Sequence, residues 1–206
     1  GPFPVACASM TEICIIRHGE TDWNLQGLTQ GSTDIPLNDF GREQARLTGA
    51  YLADFAWDTV YASDLSRAYE TATIIADSVG LESIAREPRL RERSFGEAEG
   101  LDIYERKSRY VDSSSIPGAE SWESVRIRGL AALEGIAVKN PGRRVLVVSH
   151  GGVIMSVLAH LSGGEIAPGR PPLKNLSMSL LRYSARWEIE FHNRVAPELE
   201  DEAVSA

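Results

Sequence analysis

The chain predicts an α/β domain, a three-layer α/β/α sandwich around a mostly parallel central sheet, and three observations carry that expectation. Strand-like and helix-like runs alternate over most of its length. Two runs, Ile13-Cys14-Ile15-Ile16 and Val145-Leu146-Val147-Val148, are continuously apolar, as strands covered on both faces must be. Each is followed two residues on by a histidine and then a glycine, His18-Gly19 and His150-Gly151. At 206 residues and 43% hydrophobic content, the chain suits one domain with a sizeable core.

The elements follow in order. Residues 1–11 read as a disordered leader or a remnant, the first nine carrying no periodicity and standing ahead of a natural start at Met10, with the domain itself over 12–195. Residues 12–17 form the first strand. A polar loop over 24–34 ends on Ile35-Pro36-Leu37, and loops of that length inside a compact domain usually serve function. Asn38 caps a helix whose inward residues Gly41, Ala45, Thr48 and Leu52 recur at steps of four and three. Val60-Tyr61-Ala62 is a short strand. Ser63 or Asp64 then starts a helix with Ala68, Ala72, Ile75 and Val79 on one face, stopped by Gly80.

Residues 83–85 read as a strand and 101–115 as a helix plus a polar loop. A helix from Trp122 to about residue 138 turns Val125, Gly129, Leu133 and Ile136 inward and closes on Asn140-Pro141-Gly142. After the strand at 145–148, Gly151-Gly152 lead into a helix through Val153, Ile154, Val157 and Leu161. Residues 177–183 and 187–192 pair as antiparallel strands, and the acidic end, 196–206, is expected to be a flexible tail.

Composition excludes several classes. A net charge of −8 argues against a general nucleic-acid surface, which needs a positive face. Cys7 and Cys14 make neither a disulfide framework nor a zinc site, and Cys14 reads as a small core residue. No apolar run approaches the roughly 20 residues that span a bilayer, and the opening lacks a signal peptide's basic head, so a cytoplasmic, reducing setting is expected.

The chemistry gathers at strand ends, where α/β sheets bind ligands. His18 and His150 both lie there, whereas His160 and His192 read as surface or satisfied residues. Arg17 puts a planar guanidinium fork, suited to paired phosphoryl oxygens, beside His18. Arg67 sits in the first turn of the helix after the second strand, where the helix N-terminus also favours an anion. A solvated arginine or an Asp64 pair is the plain alternative there. Cations beside His18 would keep its imidazole neutral, as a nucleophile must be. Glu92, between Arg91 and Arg93, is the candidate acid for the leaving oxygen, since a nearby dianion would help hold a proton on it. Spacing alone does not separate it from Glu87, Glu97 or Glu99.

Four ordered segments, Arg17-His18-Gly19-Glu20-Thr21-Asp22-Trp23-Asn24, Ser63-Asp64-Leu65-Ser66-Arg67-Ala68-Tyr69-Glu70-Thr71-Ala72, Leu90-Arg91-Glu92 leading to Phe95-Gly96 and Gly100, and Val148-Ser149-His150-Gly151-Gly152, closely resemble the histidine phosphatase superfamily. The likeness is to the branch that holds cofactor-dependent phosphoglycerate mutases and related phosphatases. It implies that His18 becomes a phosphohistidine and that Glu92 moves the proton. It further implies that Arg17, Arg67 and His150, with Asn24, Gln30, Gly31 and Gly151, bind the phosphoryl group. No metal and no cofactor are implied; the expected partner is a small phosphorylated metabolite, with no nucleic acid or membrane partner and a homodimer left open.

Within the resemblance, a phosphatase must admit water where a mutase keeps the phosphoenzyme dry. Only 58 positions separate Glu92 from His150, shorter than the lid-bearing segment of the mutase branch, which favours the phosphatase. The mutase is the alternative, and an inactive binding module is disfavoured because all five chemical residues are present. A metal-dependent hydrolase and a P-loop enzyme lack their motifs. Within 101–120, Arg106, Lys107 and Arg109 are candidate contacts for an acidic leaving alcohol. Helical spacing of Leu101, Tyr104, Ser108 and Val111 instead favours an inward apolar face with the cations outside.

Overall fold

In the computed structural model, which describes Phe3, residues 10–166 and residues 171–204, six strands form one sheet. They are β1 (Thr11–Arg17), β2 (Thr59–Ala62), β3 (Ile84–Arg86), β4 (Arg144–Ser149), β5 (Met178–Tyr183) and β6 (Trp187–Arg194), in the order β3-β2-β4-β1-β5-β6. β3, β2, β4 and β1 run parallel, and β5 and β6 add an antiparallel pair at one edge. The helices are α1 (Asp22–Leu25), α2 (Asp39–Leu52), α3 (Ser66–Val79), α4 (Ile103–Arg109), α5 (Trp122–Lys139), α6 (Gly151–Leu161) and α7 (Pro197–Val204).

Alternation along β1 and β4 builds the two cores. Cys14, Ile16, Leu146 and Val148 face α2 and α3, meeting Ala45, Leu52, Ala68, Ala72 and Ile75. Ile13, Ile15, Val145 and Val147 face α5 and α6, meeting Leu133, Ile136, Ile154 and Leu158. Successive side chains of a strand point to opposite faces, so a continuous apolar run is what two covered faces require. Asn38 caps α2 by accepting from the Gly41 N–H at 2.7 Å, and Gly80 ends α3 in the left-handed region at φ 75°. The expected inward stripes of α2 and α5 are buried.

Four segments differ from expectation or were not anticipated. The 3-10 turns at Pro88–Leu90 and Gly96–Ala98 fall in a stretch without a sequence period. In α4, Tyr104 is 82% exposed and Val111, beyond its end, 98% exposed, so the expected inward face does not form. That helix is only seven residues long, capped by Asp102, and it turns Arg106 inward instead, onto Thr29 Oγ1 at 3.2 Å. The segment expected as a flexible acidic tail includes α7, with Leu199 buried in the α2–α3 core. Of the expected leader, residues 1, 2 and 4–9 lie outside the described residues; Phe3 is buried among Tyr51, Phe55, Trp57 and Phe191. Among the described residues no helix is long and apolar enough to cross a membrane.

At the end of the sheet opposite the histidines, Glu12 is buried and accepts from Arg144 Nε at 2.8 Å and Arg182 Nε at 3.1 Å, joining β4, β1 and β5. Removing one member of such a cluster leaves the others' charge uncompensated. Glu12→Ala should therefore lower unfolding free energy by about 3 kcal/mol in urea titrations while kcat of the remaining folded protein stays unchanged.

Candidate active site

Register decides which residues meet. β1 pairs with β4 so that Arg17 lies opposite Ser149, and β2 pairs with β4 so that Ala62 lies opposite Val148. The next residues along the three parallel strands are His18, His150 and Ser63. The ladder runs one step further, with His18 N–H donating to Ser149 O at 3.0 Å and Ser63 N–H to Val148 O at 2.9 Å. The two imidazoles lie side by side, centroids 5.1 Å apart, both buried.

His18 Nδ1 lies 2.7 Å from the Gly19 carbonyl oxygen. A carbonyl only accepts, so Nδ1 carries the proton and Nε2 of the neutral ring keeps its lone pair. Burial, then Arg67 and Arg17, push the His18 pKa well below the ordinary value. His150 is pushed the same way by burial, Arg67, His18 and Arg17. Its Nε2 lies 2.8 Å from Ser63 Oγ, whose hydroxyl can donate to it and leave Nδ1–H as a donor. Gly19 is required sterically: a Cβ there would stand 2.5 Å from the Gly41 carbonyl oxygen at the start of α2. Its N–H donates to Thr71 Oγ1 at 3.0 Å, tying the turn to α3.

The arginines are held by carbonyls. Arg17 Nη1 donates to Leu173 O, and Arg67 donates from Nη1 to Thr33 O at 2.8 Å and from Nη2 to Gly31 O at 2.7 Å. Carbonyl acceptors orient a guanidinium without neutralising it, so its full charge stays available to an anion. Burial lowers the pKa of both arginines, and the neighbouring Glu92 opposes that shift in each. Arg17 Nε, Arg67 Nε and His150 Nδ1 are buried without a hydrogen-bond partner among the described residues. Three such donors on residues beside His18 are what a phosphoryl group's oxygens would satisfy. The α3 N-terminus is less open than expected, because Asp34 Oδ1 accepts the Ser66 N–H at 2.7 Å, and Asp64 pairs with Arg91 rather than Arg67.

Glu92 stands at the start of α6. Its Oε2 accepts the Gly152 N–H at 2.9 Å and its Oε1 the Arg93 N–H at 2.8 Å. A Cβ at Gly152 would lie 2.3 Å from Glu92 Oε1, so the second glycine is needed for this approach. A cavity of about 970 Å³ opens beside it, reaching the site along Arg17, Glu92, Gly151 and Gly152. His18, Arg67 and His150 do not line it. The outer walls are mostly apolar, with Phe95, Trp122, Met155, Ala159 and Leu173, and Arg126 is the arginine there besides Arg17. Arg106, Lys107 and Arg109 do not line it.

The loop residues serve each other. Asn24 Oδ1 accepts from the Thr21 N–H at 3.2 Å, and Gln30 Oε1 accepts from Thr21 Oγ1 at 2.9 Å. Gly31, at φ 56°, leaves room for Glu99 and offers its carbonyl to Arg67. Glu99 accepts from the N–H groups of Ser32, Thr33 and Phe95 and from the hydroxyls of Thr33 and Ser32. Burial raises its pKa, but the Thr33 hydroxyl, the Ser32 and Phe95 N–H groups and the Ser32 hydroxyl outweigh it and hold the carboxyl below the usual range. Sequence reasoning missed Ser63, Glu99 and Asn175, whose Nδ2 donates to His18 O at 2.9 Å. Ser63 follows β2 as the histidines follow β1 and β4, so the strand-end rule that singled them out also points to it. Glu99 and Asn175 carry no local signal.

Comparison with known proteins gives the family and the fold. The chain is 40% identical over 185 residues, 89% of its own length and 95% of the other's, to a Bacillus subtilis protein named uncharacterized phosphatase PhoE. It is 35% identical over 191 residues, covering 84% of itself and 86% of the relative, to a probable phosphoglycerate mutase GpmB of Photorhabdus laumondii. A mycobacterial glucosyl-3-phosphoglycerate phosphatase superposes with a TM-score of 0.77 at 28% identity, over 89% of this chain and 99% of that one. The family model described as histidine phosphatase superfamily (branch 1) matches residues 13–194, and the chain belongs to that superfamily.

Proposed function

We propose that this protein is a metal-independent phosphatase of phosphomonoesters that works through a phosphohistidine at His18. The observation that carries the reading is the His18 Nδ1 contact to the Gly19 carbonyl, which leaves Nε2 unprotonated beside two arginines whose forks face only carbonyls. Nε2 attacks phosphorus, the bond from phosphorus to the ester oxygen breaks, and Glu92 gives its proton to the departing alkoxide. Water then loses a proton to Glu92 and attacks the phosphohistidine, breaking the P–N bond and releasing phosphate. Arg17, Arg67 and the His150 Nδ1–H stabilise the charge on the equatorial oxygens, the work a divalent ion does in other phosphatases.

The open cavity beside Glu92 supports water as the acceptor. Its Phe95, Trp122, Met155 and Leu173 walls favour a leaving alcohol with an apolar or aromatic body over one that is small and charged. The competing phosphoglycerate mutase reading draws on the likeness to the probable mutase GpmB. A phosphate-release screen run with and without 2,3-bisphosphoglycerate, beside a mutase assay, separates the two: efficient interconversion of phosphoglycerates with little phosphate released would overturn the phosphatase.

Acid–base chemistry of the nucleophile should be visible directly. Wild-type protein quenched during turnover of 4-nitrophenyl phosphate should carry an acid-labile, base-stable phosphoryl group, and its activity should survive excess chelator. His18→Ala should lose both the phosphoenzyme and at least about a thousandfold in kcat. 2-Phenylethyl phosphate, an alkyl ester like phosphoserine but with an aromatic body, should exceed phosphoserine in kcat/KM by about tenfold, given about 0.8 kcal/mol per buried methylene equivalent. Trp122→Ala should erase that preference.

Stability should follow pH through the same imidazoles. Both have folded pKa values well below about 6.5, so the unfolded chain binds the extra protons. Their contribution is fully present above about 6.5 and is lost as pH falls below it, at up to about 1.4 kcal/mol per pH unit for each histidine. Thermal unfolding between pH 7.5 and 5.5 should show Tm falling, and His18→Asn should flatten the decline.

A further inference from the structure

Glu92 lies in a stretch that belongs to no helix or strand, just after the 3-10 turn at Pro88–Leu90. Backbone carbonyls in such a stretch must find donors elsewhere. Arg128, on α5, supplies them. Its Nη1 donates to Arg89 O at 2.7 Å and Arg91 O at 2.6 Å, and its Nη2 to Glu92 O at 3.2 Å. The same guanidinium donates from Nε and Nη2 to the two oxygens of Glu120, each at 2.8 Å.

Glu120 in turn stands two residues before Trp122, which lines the cavity. Its carbonyl accepts from Arg93 Nε at 2.7 Å, and its N–H donates to Ser94 O at 2.9 Å. Helix α5 is fixed against α6 at Gly129, where a Cβ would come within 3.1 Å of Val153 and 3.2 Å of Val157. The N–H of Gly152, in the first turn of α6, holds the Glu92 carboxylate. Glu92 is therefore gripped at its backbone by one helix and at its tip by the other, and those two helices touch.

We infer that Arg128 is a positioning residue for the proposed phosphatase reaction: through the carbonyls of residues 89, 91 and 92 it sets the reach of Glu92 to the leaving oxygen. A planar fork can face a carboxylate along one edge and carbonyls along another; a lysine ammonium cannot. The inference rests on the reading of Glu92 as the proton donor.

Leaving groups supply the test. 4-Nitrophenolate departs without a proton, whereas an alkoxide needs one, so a misplaced acid penalises alkyl esters selectively. With Arg128→Met, kcat/KM on 2-phenylethyl phosphate should fall about thirtyfold more than on 4-nitrophenyl phosphate, a displacement of under an ångström being enough for that. Arg128→Lys should fall between that variant and wild type, and Glu120→Gln should shift the ratio in the same direction by less. The ratio does not depend on how much protein has folded, and Glu120→Gln carries the test if Arg128→Met does not accumulate.

Equal losses on both esters in these variants would overturn the inference. Glu92→Gln keeps the two readings apart. Selective loss on the alkyl ester there, with equal losses in the Arg128 variants, sinks the role of Arg128 alone. Equal losses in Glu92→Gln sink the proton donor itself.

Discussion

Parallel pairing of β1 with β4, in the register that sets Arg17 opposite Ser149, is the constraint on which the site depends. Both strands are buried on both faces, so a slip of one residue would turn every core side chain to the wrong helix layer. The same register delivers His18 and His150 to one level at the carboxyl end of the sheet, with Ser63 beside them from β2. Core packing and site geometry are thus one requirement. The Glu12 cluster at the far end of β1 works alongside it, joining three neighbouring strands.

Electrostatically the site is an exception to the way buried charges are usually handled. Arg67 is 1% exposed, yet among the described residues its guanidinium meets two carbonyls and no carboxylate oxygen at hydrogen-bond distance. Burying a cation this way costs stability, and the cost is accepted where an anion is to be bound. Glu92 lies close enough to influence both Arg17 and Arg67, but its own oxygens are held by the N–H groups of Gly152 and Arg93. The carboxyl group is thereby kept beside the cations without being captured by them. The loop over 30–34 is pinned in the same spirit, its carbonyls on Arg67 and its N–H groups on Glu99.

Local pattern made the strands, α2, α3, α5 and α6 legible, because each has a period or a cap that only one element satisfies. It failed in α4, where seven residues are too few for a periodicity to mean anything and capping by Asp102 sets the helix instead. It failed at the acidic end, where one residue, Leu199, seated in the α2–α3 core outweighs a polar composition. Arg67 was legible as a candidate phosphate ligand through its place in a helix's first turn and its motif, but the carbonyls that hold it, on Gly31 and Thr33, stand more than thirty positions away and were not.

What the sequence by itself determined is the family, the layered α/β class and the residue types that carry charge and protons, because these are written in contiguous motifs and in periods of two and of three to four. Tertiary structure alone decided the rest. The carbonyl cradles of the arginines, the pairing of Asp64 with Arg91, and the grip of α5 and α6 on Glu92 all join residues far apart in the chain. Such contacts exist only once the sheet register is set, and no local pattern encodes them.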